Sequence, residues 1–198
     1  MIRRVCVYCG SGAGGHDGYA DAARALGRAL VEREVGLVFG GGRIGMMGVL
    51  AETVLAGGGE AIGVIPRHLE EKGLALTNVT SLRVVETMHA RKALMAELSD
   101  AFIAMPGGYG TAEEFFEALT WAQLSLHVKP CGLLNAKGYF DHLIRFIDHA
   151  VQEGFIHATH RTLMLVADSP QTLLDRLSAY VPPSLDKVAW ATKVMKDV

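Results

Sequence analysis

Three times in this chain a short, unbroken apolar run empties into a cluster of glycines. Residues 5–9 lead into Gly10-Ser11-Gly12-Ala13-Gly14-Gly15, residues 36–39 into Gly40-Gly41-Gly42, and residues 101–105 into Pro106-Gly107-Gly108-Tyr109-Gly110. Helical spacing follows each turn. Such runs read as strands buried on both faces, which places them in a parallel sheet covered by helices on two sides. In sheets of that kind ligands bind at the carboxyl ends of the strands, where these turns fall. Glycine lets a ligand approach the backbone closely. The following helix start adds bare N–H groups and partial positive charge, a place to hold a phosphate.

The remaining pattern extends the alternation. Strands are expected at 5–9, 36–39, 60–65, 81–85, 101–105, 131–134 and 162–166. Helices are expected at 17–33, after Gly45 to about 56, at 87–98, 113–124 and 139–153, and from Ser169-Pro170, with Ser169 as N-cap and Pro170 at the first helical position. The expected fold is α/β, a Rossmann-like doubly wound parallel sheet of about seven strands with helices on both faces. Residues 67–80 have no clean period and read as an irregular connection at the rim of a site. Residues 1–181 are expected to form one domain and 182–198 a C-terminal tail, either a docked arm or disordered.

Composition narrows the function classes. The formal net charge of the 198 residues is −2, without a basic run, so no nucleic-acid or membrane partner is implied. Only three cysteines occur, Cys6, Cys9 and Cys131, which fits a reducing compartment. Cys6 and Cys9 form a C-x-x-C, but three residues apart on a strand they face opposite ways, as small buried residues would. No stretch has signal-peptide or membrane-span character, so the expected location is cytoplasmic. The histidines lack metal-ligand spacing, and neither a P-loop nor a nucleophile elbow is present.

Three groups carry candidate chemistry. Gly40, Gly42 and Gly45 match G-x-G-x-x-G, yet after the second strand rather than the first, so the match reads as a nucleotide-phosphate turn and not as proof of NAD. Thr111-x-x-Glu114 has the form of a capping box, which by itself explains Glu114 as a helix-start residue. Against that stand three clustered carboxylates, Glu113, Glu114 and Glu117, beside Phe115 and Phe116; mutual repulsion and apolar surroundings raise a carboxyl pKa and suit acid–base work. Arg91 and Lys92 open a helix at the ligand edge, where cations orient a phosphate, ribose or carboxylate, although a solvated face is the plainer explanation. Met88 is either core or a partner for a flat base.

Residues 106–114, Pro-Gly-Gly-Tyr-Gly-Thr-Ala-Glu-Glu, resemble the P-G-G-x-G-T-x-x-E motif of the LOG ("lonely guy") family, and Met88-His89-Ala90-Arg91-Lys92 resembles its M-H-x-R-K. The resemblance runs over roughly residues 1 to 181; residues 67–80 and the tail match least. It implies hydrolysis of the N-glycosidic bond of an N6-substituted adenosine 5′-monophosphate, giving a free base and ribose 5-phosphate. It implies catalysis by Glu114 with Arg91, and a 5′-phosphate on the turn Gly107, Gly108, Tyr109, Gly110 and Thr111. Gly10, Ser11, Gly41 and Gly42 would flank the nucleotide, with Met88, Lys92, Glu113 and Glu117 beside it. No metal or redox cofactor is required, and family members of this length are commonly homodimers. The family has carried a "lysine decarboxylase" label, but no pyridoxal-phosphate lysine context is evident. Two other readings compete: a non-catalytic nucleotide or molybdenum-cofactor carrier, and an NAD(P)-dependent oxidoreductase resting on the misplaced glycine match.

Overall fold

The computed structural model describes residues 1–184; residues 185–198, and with them most of the expected tail, lie outside the described residues. The chain alternates β1 (Arg4–Tyr8), α1 (Asp17–Glu32), β2 (Gly36–Phe39), α2 (Gly45–Ala56), β3 (Ala61–Pro66), the single turn α3 (Arg67–Glu70), β4 (Ser81–Val85), α4 (Met88–Glu97), β5 (Ala101–Ala104), α5 (Tyr109–Gln123), β6 (Cys131–Leu134), α6 (Asp141–Gln152), the single turn α7 (Ala158–Arg161), β7 (Met164–Ala167) and α8 (Pro170–Ser178). The strands form one sheet in the order β4-β3-β2-β1-β5-β6-β7. Every neighbouring pair is parallel.

The doubly wound architecture read from the sequence is therefore the observed one. Strand order runs outward from β1 to β4, then returns to β5 on the other side of β1. The chain after β1 therefore passes to α1 on one face of the sheet and the chain after β5 to α5 on the other, the topology that places a binding crevice at this carboxyl edge.

Period-two alternation along β1 divides the core. Val5, Val7 and Cys9 pack with Leu26 and Leu30 of α1, Leu50 of α2 and Leu173 of α8. Cys6 and Tyr8 pack on the opposite face with Met95 of α4, Phe115 of α5 and Ile147 of α6. Cys6 and Cys9 therefore face opposite ways, as strand geometry requires. All three cysteines are free and buried. Burial pushes the Cys9 and Cys131 thiols up to about 12, which leaves them inert near neutral pH.

Three elements start more than one residue away from the sequence expectation. Helix α5 begins at Tyr109, four residues before Glu113, with Gly108 as its N-cap. Thr111 is consequently the third helical residue and not a cap, and the Thr111-x-x-Glu114 capping box does not form. Helix α6 begins at Asp141 because residues 136–138 make a 3-10 turn, with Lys137 at φ 57° and Gly138 at φ 69°. The short helix α7, unexpected from the sequence, takes up residues to Arg161 and moves the start of β7 to Met164. At α8 the expected cap is present: Ser169 accepts a hydrogen bond from the Thr172 N–H, and Pro170 holds the first position.

Candidate active site

The glycine turns after β1, β2 and β5 close on one another through backbone hydrogen bonds. The Gly10 N–H donates to the Pro106 carbonyl at 3.1 Å, and the Met46 N–H to the Gly10 carbonyl at 3.0 Å. Two glycines are required by the closeness of this contact. A Cβ on Gly107 would collide with the Thr111 side chain and sit 2.7 Å from the Gly10 nitrogen. Gly45, at φ +62°, would drive a Cβ into the Ser11 carbonyl.

Between these turns lies a cavity of about 430 Å³, adjoined at Gly10, Ser11 and Gly108 by a second of about 320 Å³. One end of the larger cavity is the start of α5. Gly108 has no side chain with which to cap that helix, and the first intrahelical bond runs from the Ala112 N–H to the Gly108 carbonyl. The N–H groups of Tyr109, Gly110 and Thr111 consequently have no acceptor within the helix, the arrangement that holds anions. Thr111 is 4 % exposed, whereas Tyr109 stands 98 % exposed on the rim.

The other end is apolar, lined by Ile44, Met47, Ile65, Leu69 and Leu74. Leu69 and Leu74 come from the connection after β3, which is ordered against the second glycine turn. The Arg43 N–H donates to the Leu74 carbonyl at 2.9 Å and the Leu76 N–H to the Gly41 carbonyl at 2.8 Å. The Arg43 guanidinium reaches the Gly73 carbonyl at 2.7 Å.

Arg91 and Glu114 lie on the wall between the two ends. The N-cap Thr87 starts α4 by accepting a hydrogen bond from the Ala90 N–H at 3.0 Å, which places Arg91 one turn inside the helix and 8 % exposed. Arg91 Nε donates to the Val64 carbonyl at 3.1 Å and Nη2 to the Gly40 carbonyl at 2.8 Å. A Cβ on Gly40 would run into that guanidinium, so the first glycine of G-x-G-x-x-G here makes room for an arginine. Arg91 Nη1 faces Glu114 Oε1 at 4.0 Å, with both side chains almost buried. Among the described residues the Glu114 carboxylate has no hydrogen-bond donor. Burial raises its pKa; Arg91 opposes that shift, and Glu113 reinforces it.

Of the residues expected from the sequence, Gly10, Ser11, Gly42, Met88, Arg91, Gly108, Tyr109, Gly110, Thr111 and Glu114 line the larger cavity, and Gly107 lines the adjoining one. Gly41, Lys92, Glu113 and Glu117 line neither. Gly41 turns at φ +71° against Val64 and Ile65. The Lys92 ammonium is taken by Glu113 at 2.5 Å and Glu117 at 3.0 Å. Gly40, named in the glycine match, lines the larger cavity as well, and Leu69 and Leu74 come from the stretch expected at the rim without having been singled out. Sequence reasoning missed Val7, Tyr8, Cys9, Ile44, Met47, Ile65 and Met95, none of which carried a signal. Among the described residues no cluster of histidine, cysteine or carboxylate side chains has the makings of a metal site, and no helix is long and apolar enough to cross a membrane.

Comparison with known proteins gives the family and the fold. Residues 47–177 match the family described as "Possible lysine decarboxylase". A rice protein, "Probable cytokinin riboside 5′-monophosphate phosphoribohydrolase LOGL9", is 53 % identical over 181 residues, covering 91 % of this chain and 80 % of its own. Cytokinin riboside 5′-monophosphate phosphoribohydrolase LOG1 of Arabidopsis thaliana is 51 % identical over 181 residues, covering 91 % of this chain and 85 % of its own. Among solved structures, the molybdenum cofactor carrier protein of Chlamydomonas reinhardtii superposes with a TM-score of 0.69 at 23 % identity, over 91 % of this chain and all of that one. That likeness speaks to the fold alone.

Proposed function

Because the chain belongs to the LOG family of cytokinin riboside 5′-monophosphate phosphoribohydrolases, we propose that it hydrolyses the N-glycosidic bond of N6-substituted adenosine 5′-monophosphates, releasing the free base and ribose 5-phosphate. The observation that carries the reading is the Arg91–Glu114 pair, 4.0 Å apart and nearly buried, standing between an uncapped helix start and an apolar wall.

In this reading the 5′-phosphate sits on the N–H groups that open α5, beside the Thr111 hydroxyl. The base and its N6 substituent extend toward Leu69 and Leu74. The C1′ carbon then lies before Glu114. As the C1′–N9 bond breaks, the electron pair leaves with the purine and positive charge grows on the ribose, as in glycoside hydrolysis. The Glu114 carboxylate stabilises that charge or takes a proton from the water that adds to C1′. Arg91, held by two backbone carbonyls, orients ribose and carboxylate without mobility of its own.

The "lysine decarboxylase" description finds no support in Lys92. Burial disfavours the Lys92 ammonium, but the Glu113 and Glu117 hydrogen bonds outweigh it and raise its pKa. A lysine destined for a Schiff base needs the opposite shift. A carrier role would leave the buried Arg91–Glu114 pair without a task. The proposal extends to a cytoplasmic homodimer, tested by sedimentation and by imaging of the tagged chain.

The experiment is a panel of N6-isopentenyladenosine 5′-monophosphate, AMP, the corresponding ribosides and lysine. Free base from the monophosphates alone is expected. Base release from ribosides at equal rate, or cadaverine from lysine, would overturn the reading.

A further inference from the structure

Two adjacent residues of α4 face three carboxylates of α5, and the contacts are unequal. Arg91 stands 4.0 Å from Glu114, whereas Lys92 closes on Glu113 at 2.5 Å and on Glu117 at 3.0 Å. Glu113 and Glu117 are one helical turn apart, so a single ammonium spans the opening turns of α5. Lys92 is 7 % exposed, yet it lines neither cavity. A buried cation is costly unless it is paired, and here the pairing is supplied entirely by α5.

We propose that Lys92 is a positioning residue for the Arg91–Glu114 pair. By holding Glu113 and Glu117 it fixes α5 against α4 and withholds both carboxylates from Arg91, so that Glu114 alone meets the guanidinium inside the cavity. The assay of this inference rests on the hydrolase reading; the inference itself rests on the contacts.

The charges around Glu114 make the consequence definite. Arg91 and Lys92 of α4 favour its ionised form, Glu113 and Glu117 of its own helix oppose it, and Cys6 and Tyr8 of β1, with Cys9 just past the strand end, lie within reach of its charge and are themselves uncharged. With Lys92 replaced by a neutral side chain, Arg91 alone opposes the two carboxylates that act on Glu114, and its proton is held to higher pH.

The test compares Lys92→Met with the triple variant Lys92→Met, Glu113→Gln, Glu117→Gln. For Lys92→Met, kcat should fall about tenfold or more, a barrier change of at least ~1.4 kcal/mol. KM should stay within about threefold of the wild type. The acid limb of the pH profile should move to higher pH. In the triple variant the limb should return to the wild-type position or below it. A raised KM with intact kcat would make Lys92 a substrate ligand, and an unmoved limb would make it a merely structural residue; either overturns the proposal. Should Lys92→Met fail to fold, the limb of the triple variant decides, since a limb above wild type contradicts the proposal. If the wild type releases no base, the hydrolase reading fails by itself. Carboxyl NMR of Glu114 then tests the inference: its pKa should rise in Lys92→Met and not in the triple variant, and no rise in Lys92→Met, or a rise in the triple variant, overturns it.

Discussion

Arg91 Nη1 stands 4.0 Å from Glu114 Oε1, too far for a hydrogen bond, while the same guanidinium donates to the carbonyls of Val64 and Gly40. The arginine is held by the sheet edge and not by its carboxylate partner. Glu114 is therefore free to serve a ligand, and Arg91 does not have to be released for it to do so.

Substitution at Gly40 separates position from chemistry. A methyl group there strikes the Arg91 guanidinium. Gly40→Ala should lower kcat/KM by at least about 100-fold, the scale of losing one preorganised charge-stabilising group. Arg91→Met should match it in activity and also lower stability by roughly 2–4 kcal/mol, because it leaves the Gly40 and Val64 carbonyls buried without a donor. Turnover and urea melts of both variants check this; a Gly40→Ala enzyme at wild-type rate contradicts it.

The raised pKa of Glu114 links activity to pH. Burial is the main cause that lifts it above the ordinary glutamate value of 4.5. If the carboxylate form is the active one, the acid limb of kcat/KM should lie above pH 4.5. Stability follows the opposite course. A carboxyl that keeps its proton longer in the folded chain loses stability as pH rises from the unfolded value through the raised folded one. Glu114→Gln should abolish turnover, keep the fold and show a Tm equal to or above wild type at neutral pH. A lower Tm would contradict the burial argument.

Gly107 lets the turn before α5 pack closely on Thr111 and Gly10. Gly107→Ala would push on Thr111 and on the Gly10 N–H. KM for the monophosphate should rise about tenfold or more, with a smaller effect on kcat, if the turn contributes uniform binding. Protection against thermal unfolding by AMP should weaken in parallel.

Leu69 and Leu74 form the apolar end. Leu74→Ala should reduce the preference for N6-isopentenyladenosine 5′-monophosphate over AMP by roughly tenfold, within the 1–3 kcal/mol that a few apolar contacts supply. An unchanged ratio would place the substituent elsewhere.

The sheet was legible because its strands are continuous apolar runs punctuated by glycine, and 36–39, 81–85 and 131–134 match the observed strands residue for residue. The start of α5 was not. Glu113 and Glu114 look like first-turn acids, but the helix begins at Tyr109 because Gly108 serves as a bare cap, and no side-chain signal marks a backbone cap. Lys92 was expected beside the nucleotide because the M-H-x-R-K resemblance implies it; which carboxylates it meets depends on the angle between α4 and α5, which local sequence does not encode. Leu69 and Leu74 lay hidden in a stretch without periodicity. They reach the cavity through pairing of residues 73–76 with the Gly41–Arg43 turn, a non-local contact.

The most direct test of the central claim is product analysis after incubation with N6-isopentenyladenosine 5′-monophosphate, with wild type and Glu114→Gln side by side. The account predicts free isopentenyladenine and ribose 5-phosphate in equal amounts from the wild type and neither from the variant. The riboside with orthophosphate, or equal turnover by Glu114→Gln, would contradict it.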